Sequence, residues 1–276
     1  VTHESAAWFF GQIAAIVLAA WVGWRVTCRA PRAWKAAATL ATLLMLLWPL
    51  MRVVPAHVMR LVGASCVSFT EITGIVIPAT VVFTIAARKA THARERRVLV
   101  LLLPVCLLYF GRHGGWMLGS PVPDLGHMRR QGDICIQTTG YTCVAASMVT
   151  TLRAYGIEIT ETEAARLCHT EVQGGTTDSR AVAGLQRRLA ELPIEVRYEH
   201  MDYNRLRVVP KPCMVSMKWG YFISHMVPVL DVTDDGVKVG DPLNGLNVMP
   251  KDQFLDKWHK NGIFLVDHRA VASAPG

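Results

Sequence analysis

Four apolar stretches fill the first 111 residues, at Ala6 to Trp24, Ala36 to Met51, Leu61 to Ala87 and Val98 to Gly111. A helix needs about 20 apolar residues to cross a bilayer, so these stretches read as four transmembrane helices. The second and fourth are short as written and borrow neighbours, Arg52 to Val54 and Arg112 to Leu118. The first reads as a span and not a cleaved signal peptide, because it lacks a basic n-region and further spans follow it.

Charge is divided as unevenly as hydropathy. Residues 1–111 carry 11 Lys and Arg against 3 Asp and Glu, whereas residues 112–276 carry 18 of each. A basic excess confined to an apolar region argues against nucleic-acid binding, which needs it on a folded polar surface. It consists instead of the loop charges that orient a membrane protein. Arg25, Arg29, Arg32 and Lys35 in the first loop and Arg88, Lys89, Arg94, Arg96 and Arg97 in the third lie on one side; Arg52 and Arg60 lie on the other. With four spans, both termini and everything after the fourth helix face away from the cytoplasm. Losing one span reverses the side. Glu71, inside the third span, is an ionisable group at membrane depth, read as a packing contact helped by Ser65, Ser68, Thr70 and Thr73, with a transport or proton-relay role as the rival.

Residues 112–130 are rich in glycine and proline and read as a linker. Gly114-Gly115 within it is a hinge, or alternatively a self-cleavage site. Residues 131–276 have the pattern of an α+β domain. An apolar helical set runs from Cys143 to Gly156, and Thr160 with Glu163 makes a capping box opening a helix to Leu167. Gln173 to Thr177 is a turn, and Asp178 to Leu192 a third helix. Strands are expected at Ile194 to Glu199, Cys213 to Trp219, Met226 to Val232, Val237 to Asp241 and Ile263 to Val266, with a hairpin tip at Asp234-Asp235-Gly236 and a short helix at Lys251 to His259.

The chemistry centres on Cys143. A thiol opening a helix meets unpaired first-turn amides and the positive end of the dipole, which favour thiolate. Gln137, six residues earlier, supplies a side-chain amide for an oxyanion. A cysteine nucleophile needs a base and a group to orient it. His225 opens one strand of the hairpin, Asp241 ends the other, and the turn brings them within reach; Asp231 is the rival orienter. Alone, each has a dull explanation as a core cysteine, an edge histidine or a turn aspartate. Together they fit a Cys143–His225–Asp241 set with Gln137 as oxyanion donor. His127, His169, His200, His259 and His268 lack metal-site spacing, so no metal or cofactor is expected. Seven cysteines leave at least one without an intramolecular partner. Cys168 and Cys213 read as packing residues, and Cys135 as a candidate partner for an inactivating disulfide with Cys143.

QTTGYTC with Gln137 and Cys143, the AASMVTTLRAYGI helix, the GGTT turn, HMVPVLDV and the GDP triplet resemble, in that order, the double-glycine leader peptidases, a papain-like cysteine peptidase family. The resemblance covers residues 131–268. It implies a papain-like fold cleaving after Gly-Gly in leader peptides of bacteriocins and similar secreted peptides. In that family the domain commonly precedes an exporter's membrane and ATP-hydrolysing domains. Here the membrane part comes first, and no G-x-x-x-x-G-K-[ST] run is present, so no nucleotide is bound and any exporter is a separate partner. The expectation is a multi-pass protein of the bacterial inner membrane. Its peptidase domain stands on the periplasmic or extracellular side, and its partners are a peptide substrate and the lipid bilayer. The alternative is a non-cleaving peptide-docking module of an export system.

Overall fold

The computed structural model describes residues 3–29, 33–48, 55–119, 122–172, 174–220 and 223–269. Arg32, Pro49, Leu50, Met51, Arg52 to Val54, Gln173, Tyr221, Phe222 and residues 270–276, all named or spanned above, lie outside them. The chain divides into two compact units, Val1–Gly119 and Ser120–Gly276.

The first unit is helical: α1 (His3–Arg29), α2 (Ala33–Leu47), α3 (Pro55–Val62), α4 (Ala64–Thr70), α5 (Thr73–Lys89) and α6 (Ala93–Gly114), closed by a 3-10 turn at Gly115–Leu118. Three stretches are long and apolar enough to cross a membrane, Ser5–Cys28, Ala64–Lys89 and Ala93–Leu118. α2, with 15 residues, falls below that length, so the expectation of four such helices is met by three among the described residues. α3 is a short helix that periodicity did not suggest. Large apolar side chains stand outward on these helices, Leu46 at 63% exposure, Leu101 at 65% and Leu108 at 72%. A water-soluble bundle turns such a stripe inward, whereas a lipid phase accepts it on every face.

Contacts fix the helix directions. Trp8 stacks on Phe69, Gln12 Nε2 donates to the Phe69 carbonyl (2.7 Å), and Arg88 lies 3.9 Å above the Trp24 ring, so α1 runs parallel to the α4–α5 segment. α2 runs antiparallel to it: Lys89 sits over Trp34, and Trp48 Nε1 donates to the Glu71 carbonyl. Gly74 is required there, because a Cβ would overlap the Trp48 ring. Phe110 stacks on Phe9, which brings α6 back toward the start of α1. Glu71 falls at the break between α4 and α5, and the hydroxyls of Ser68, Thr70 and Thr73 donate to backbone carbonyls of the preceding turn. Gly114 and Gly115 both keep helical dihedrals. The pair expected as a hinge is therefore helical, the last residue of α6 and the first of the 3-10 turn that follows it.

The second unit carries β1 (Arg129–Gln131), β2 (Ile134–Ile136), α7 (Cys143–Ala154), α8 (Glu161–Leu167), α9 (Asp178–Arg188), β3 (Ile194–His200), α10 (Tyr203–Val208), β4 (Cys213–Lys218), β5 (Ser224–Val232), β6 (Gly236–Asp241), β7 (Gly245–Pro250), α11 (Lys251–Lys257) and β8 (Asn261–Asp267). β1 and β2 form a hairpin that begins inside the expected linker. The other six make one antiparallel sheet in the order β3-β8-β4-β5-β6-β7. β4 is buried along nearly its whole length, as a central strand covered on both faces must be. Alternate residues Cys213, Val215 and Met217 join Val227, Val229, Val237, Val239, Leu206, Phe254 and Trp258 in one core. Each fully buried large side chain there contributes about 1.5–3 kcal/mol. Across the sheet, α7 is pinned to β5 by Ser147 Oγ donating to the Met226 carbonyl (2.9 Å). α7 ends at Gly156, whose φ of +73° a side chain would strain. The capping box of Thr160 and Glu163 is formed.

Candidate active site

Three elements converge on Cys143. The cysteine is the first residue of α7, so its sulfur meets the positive end of a 12-residue helix. His225 is the second residue of β5 and Asp241 the last of β6. Val229 pairs with Val239, and both site residues stand an even number of positions from that pair, so they share a face of the sheet. The result is a buried hydrogen bond of 2.8 Å from His225 Nε2 to Asp241 Oδ1. With Nε2 so engaged, Nδ1 is the ring nitrogen left to the Cys143 sulfur, whose ionisation His225 favours.

The carboxylate is held in turn. The Leu243 amide donates to Asp241 Oδ1 at 2.9 Å and Asn244 Nδ2 to Oδ2 at 2.8 Å. Burial opposes its charge, but these bonds and His225 outweigh burial and hold the carboxyl below its ordinary value. Burial likewise opposes charge on His225, yet the bonds to Asp241 and Cys143 push its pKa up to about 9. Burial also opposes ionisation of Cys143; hydrogen bonding to His225, the Met226 and Val144 amides and the imidazolium charge win, and the thiol falls below its usual range. These directions favour moving the thiol proton onto the imidazole. The Trp219 ring, 4.9 Å from that of His225, covers one side of the imidazole.

Gln137 is buried on the segment entering α7. Its amide N–H donates to the Pro242 carbonyl (2.9 Å), beside Asp241, and its side-chain Nε2 donates to the Thr139 carbonyl (2.6 Å). One Nε2 hydrogen is left uncommitted. Asp231, the rival orienter, is exposed beside a bulge of β5 and bonds the Val232 amide. The other cysteines of this unit behave in the opposite way: Cys135, Cys168 and Cys213 are free and buried, and burial pushes each thiol up to about 12. Among the described residues no group of three or more His, Cys, Asp or Glu side chains is placed to hold a metal ion.

A model of the Peptidase C39 family matches residues 132–270, half of the chain. The chain belongs to that family. Among relatives of this C39 peptidase, the probable functional amyloid protease FapD of Pseudomonas fluorescens is 28% identical over 154 residues, 54% of this chain and 66% of that protein. An uncharacterized protein of Methanothermobacter thermautotrophicus is 29% identical over 121 residues, 44% of this chain and 79% of that one. The peptidase domain of Streptococcus ComA, a bifunctional ABC transporter of a quorum-sensing pathway, has 21% identity and a TM-score of 0.44, covering 48% of this chain and 96% of that one. A double glycine motif protease from an AMS/PCAT transporter, solved with its leader peptide, has 15% identity and a TM-score of 0.43, covering 48% and 89%.

Sequence reasoning missed four groups around this site. Asn244 bonds Asp241, and only its place three residues on in a turn hinted at it. Trp219 directly follows β4 and carries no spacing signal. Glu161, 1% exposed, accepts from the Thr138 amide and hydroxyl and so braces the segment carrying Gln137. Asp178 accepts from Tyr198, Ser216 and Asn261, three residues that only the fold assembles.

Proposed function

We propose that this protein is a membrane-anchored cysteine endopeptidase in which Cys143 is the nucleophile, His225 the general base and acid, Asp241 its orienter and Gln137 an oxyanion donor. The observation that carries the reading is the His225 ring, bonded to Asp241 through Nε2 and acting on its other side to lower the Cys143 thiol. The thiolate attacks the scissile carbonyl carbon, and the oxyanion formed accepts from Gln137 Nε2 and the first-turn amide of α7. The His225 imidazolium gives its proton to the leaving amine as the C–N bond breaks. Water then attacks the thioester, its proton going to His225, and releases the acid and the thiolate. A cleft that only docked peptides would have no use for an activated thiol.

Membership of the Peptidase C39 family supports, as the substrate class, peptides cut after a Gly-Gly pair. The helix directions support a side of the membrane for it. α1 and α5 are parallel and both end among basic residues, so the chain between them returns across the bilayer, and α2 is the segment placed to do so. Four crossings with the basic ends in the cytoplasm leave the peptidase on the periplasmic or extracellular face.

Incubating the full chain in detergent with a peptide library tests the chemistry, with Cys143→Ala as control. Cleavage confined to Gly-Gly sequences and absent from the variant is expected; equal cleavage by both would remove Cys143 from the reaction. Protease digestion of intact spheroplasts tests the side, and loss of the C-terminal unit without lysis is expected.

A further inference from the structure

The helical unit holds a cavity of about 610 Å³ at its basic end, lined by Trp24 of α1, Ala87 and Arg88 of α5, and Arg96, Arg97, Val100 and Leu101 of α6. Its lining is of two kinds. Three guanidiniums gather at one place, and among the described residues none of them forms an ion pair with a carboxylate. Arg88 is fixed by stacking 3.9 Å above Trp24 and by a 3.0 Å bond from Nη2 to Cys28 Sγ. The remaining wall is apolar, and it continues outward along one stripe of α6, through Leu101, Val105 and Leu108, all exposed.

Position supplies the rest of the argument. The three arginines sit where the apolar stretches ending at Cys28 and Lys89 and beginning at Ala93 meet their polar ends, the depth at which lipid phosphates lie. Concentrated cationic charge of this kind, next to an apolar wall that runs toward the bilayer centre, fits a molecule with an anionic head and a hydrocarbon tail. We propose that this cavity binds one anionic glycerophospholipid of the leaflet on the basic side, with its phosphate on Arg88, Arg96 and Arg97 and an acyl chain along Val100, Leu101, Val105 and Leu108. A free phosphate shares the head-group chemistry but makes no use of the stripe. The site rests on the membrane association of the helical unit and is independent of the peptidase chemistry.

Native mass spectrometry of the full chain in detergent, titrated with phosphatidylglycerol, phosphatidylcholine or inorganic phosphate, tests it. The expected result is a single tight phosphatidylglycerol adduct, with phosphatidylcholine and inorganic phosphate binding far more weakly. The combined Arg88→Gln, Arg96→Gln, Arg97→Gln variant is expected to weaken that adduct on the order of 100-fold, about fivefold per guanidinium. Leu101→Trp, which fills the apolar wall and keeps every charge, is expected to weaken it about tenfold. The pair Arg25→Gln, Arg94→Gln removes basic charge outside the cavity and is expected to leave it unchanged. Should the triple variant not fold, Leu101→Trp decides alone. Equal binding of the two lipids, an unchanged affinity in Leu101→Trp, or inorganic phosphate competing at the lipid's own concentration would overturn the proposal. Gly-Gly peptide cleavage by these variants reports separately on the peptidase.

Discussion

Two carboxylates of the second unit, Asp241 and Asp178, each accept three hydrogen bonds, and burial opposes the charge on both. Asp241 accepts from His225, the Leu243 amide and Asn244; Asp178 accepts from Tyr198, Ser216 and Asn261. Yet Asp241 falls below its ordinary value, while burial carries Asp178 above it. Burial is the largest influence on both: at Asp178 it prevails over neutral donors and a through-space His259 charge, and at Asp241 the hydrogen-bonded partners prevail over it. Asp241 faces an imidazole able to hold a proton, and that imidazole faces a thiol able to release one. Asp178 has neutral donors that tie α9 to β3, β4 and β8. A partner that can change its charge turns a satisfied polar cluster into a proton-handling one.

Substitutions can break this comparison in order of severity. Cys143→Ala removes the atom that attacks and should lower kcat/KM for a Gly-Gly peptide on the order of 10⁴-fold or more, leaving substrate binding intact. Gln137→Ala should cost about 100-fold to 1000-fold in kcat with little change in KM, as loss of an oxyanion donor does. Asp241→Ala should cost about 100-fold, whereas Asp241→Asn, which still accepts from His225 Nε2, should cost about tenfold; equal losses would make the charge, and not the orientation, decisive. Asp178→Ala should leave kcat/KM within about threefold but destabilise by about 1–3 kcal/mol, read by chemical denaturation, because Tyr198 and Asn261 lose their acceptor.

The pH dependence sharpens the same contrast. Activity should rise on the acid side as Cys143 ionises, below the usual thiol range, and fall as His225 loses its proton near pH 9. His225 is raised from 6.5 to about 9, so its contribution to stability is whole below about 6.5 and is lost as pH rises through 9. Asp241 is lowered from 3.8, so its contribution is present above that value and is lost as pH falls below it. Asp178 has the opposite sign: its raised carboxyl costs stability as pH rises past 3.8, and Asp178→Asn should flatten that part of the curve.

Much of this was legible in the sequence because local rules carried it. The capping box of Thr160, the stop at Gly156 and the hairpin tip at Asp234-Asp235 each depend on a few adjacent residues, and each formed. Cys143, His225 and Asp241 were singled out because their types and order narrow the chemistry, and the fold brings His225 to Asp241. What stayed hidden depends on distant partners. β7 is a strand only because it pairs with β6, and α10 is six residues held by its Asp202 cap and by burial of Leu206. Asp178 looked like an ordinary first-turn aspartate, since its partners lie 20, 38 and 83 residues away. In the helical unit, hydropathy located the apolar stretches and the shortness of the second, but not the helical course of Gly114-Gly115.

The reactivity of Cys143 toward iodoacetamide tests the central claim most directly, measured by peptide mapping of the full chain between pH 5 and 9, with and without His225→Ala. The account predicts rapid labelling well below the ordinary thiol pKa in the native protein, slowed about tenfold or more near neutral pH in the variant. Cys135, Cys168 and Cys213 should stay unlabelled in both. Slow labelling of Cys143 at the same rate in both proteins would contradict it.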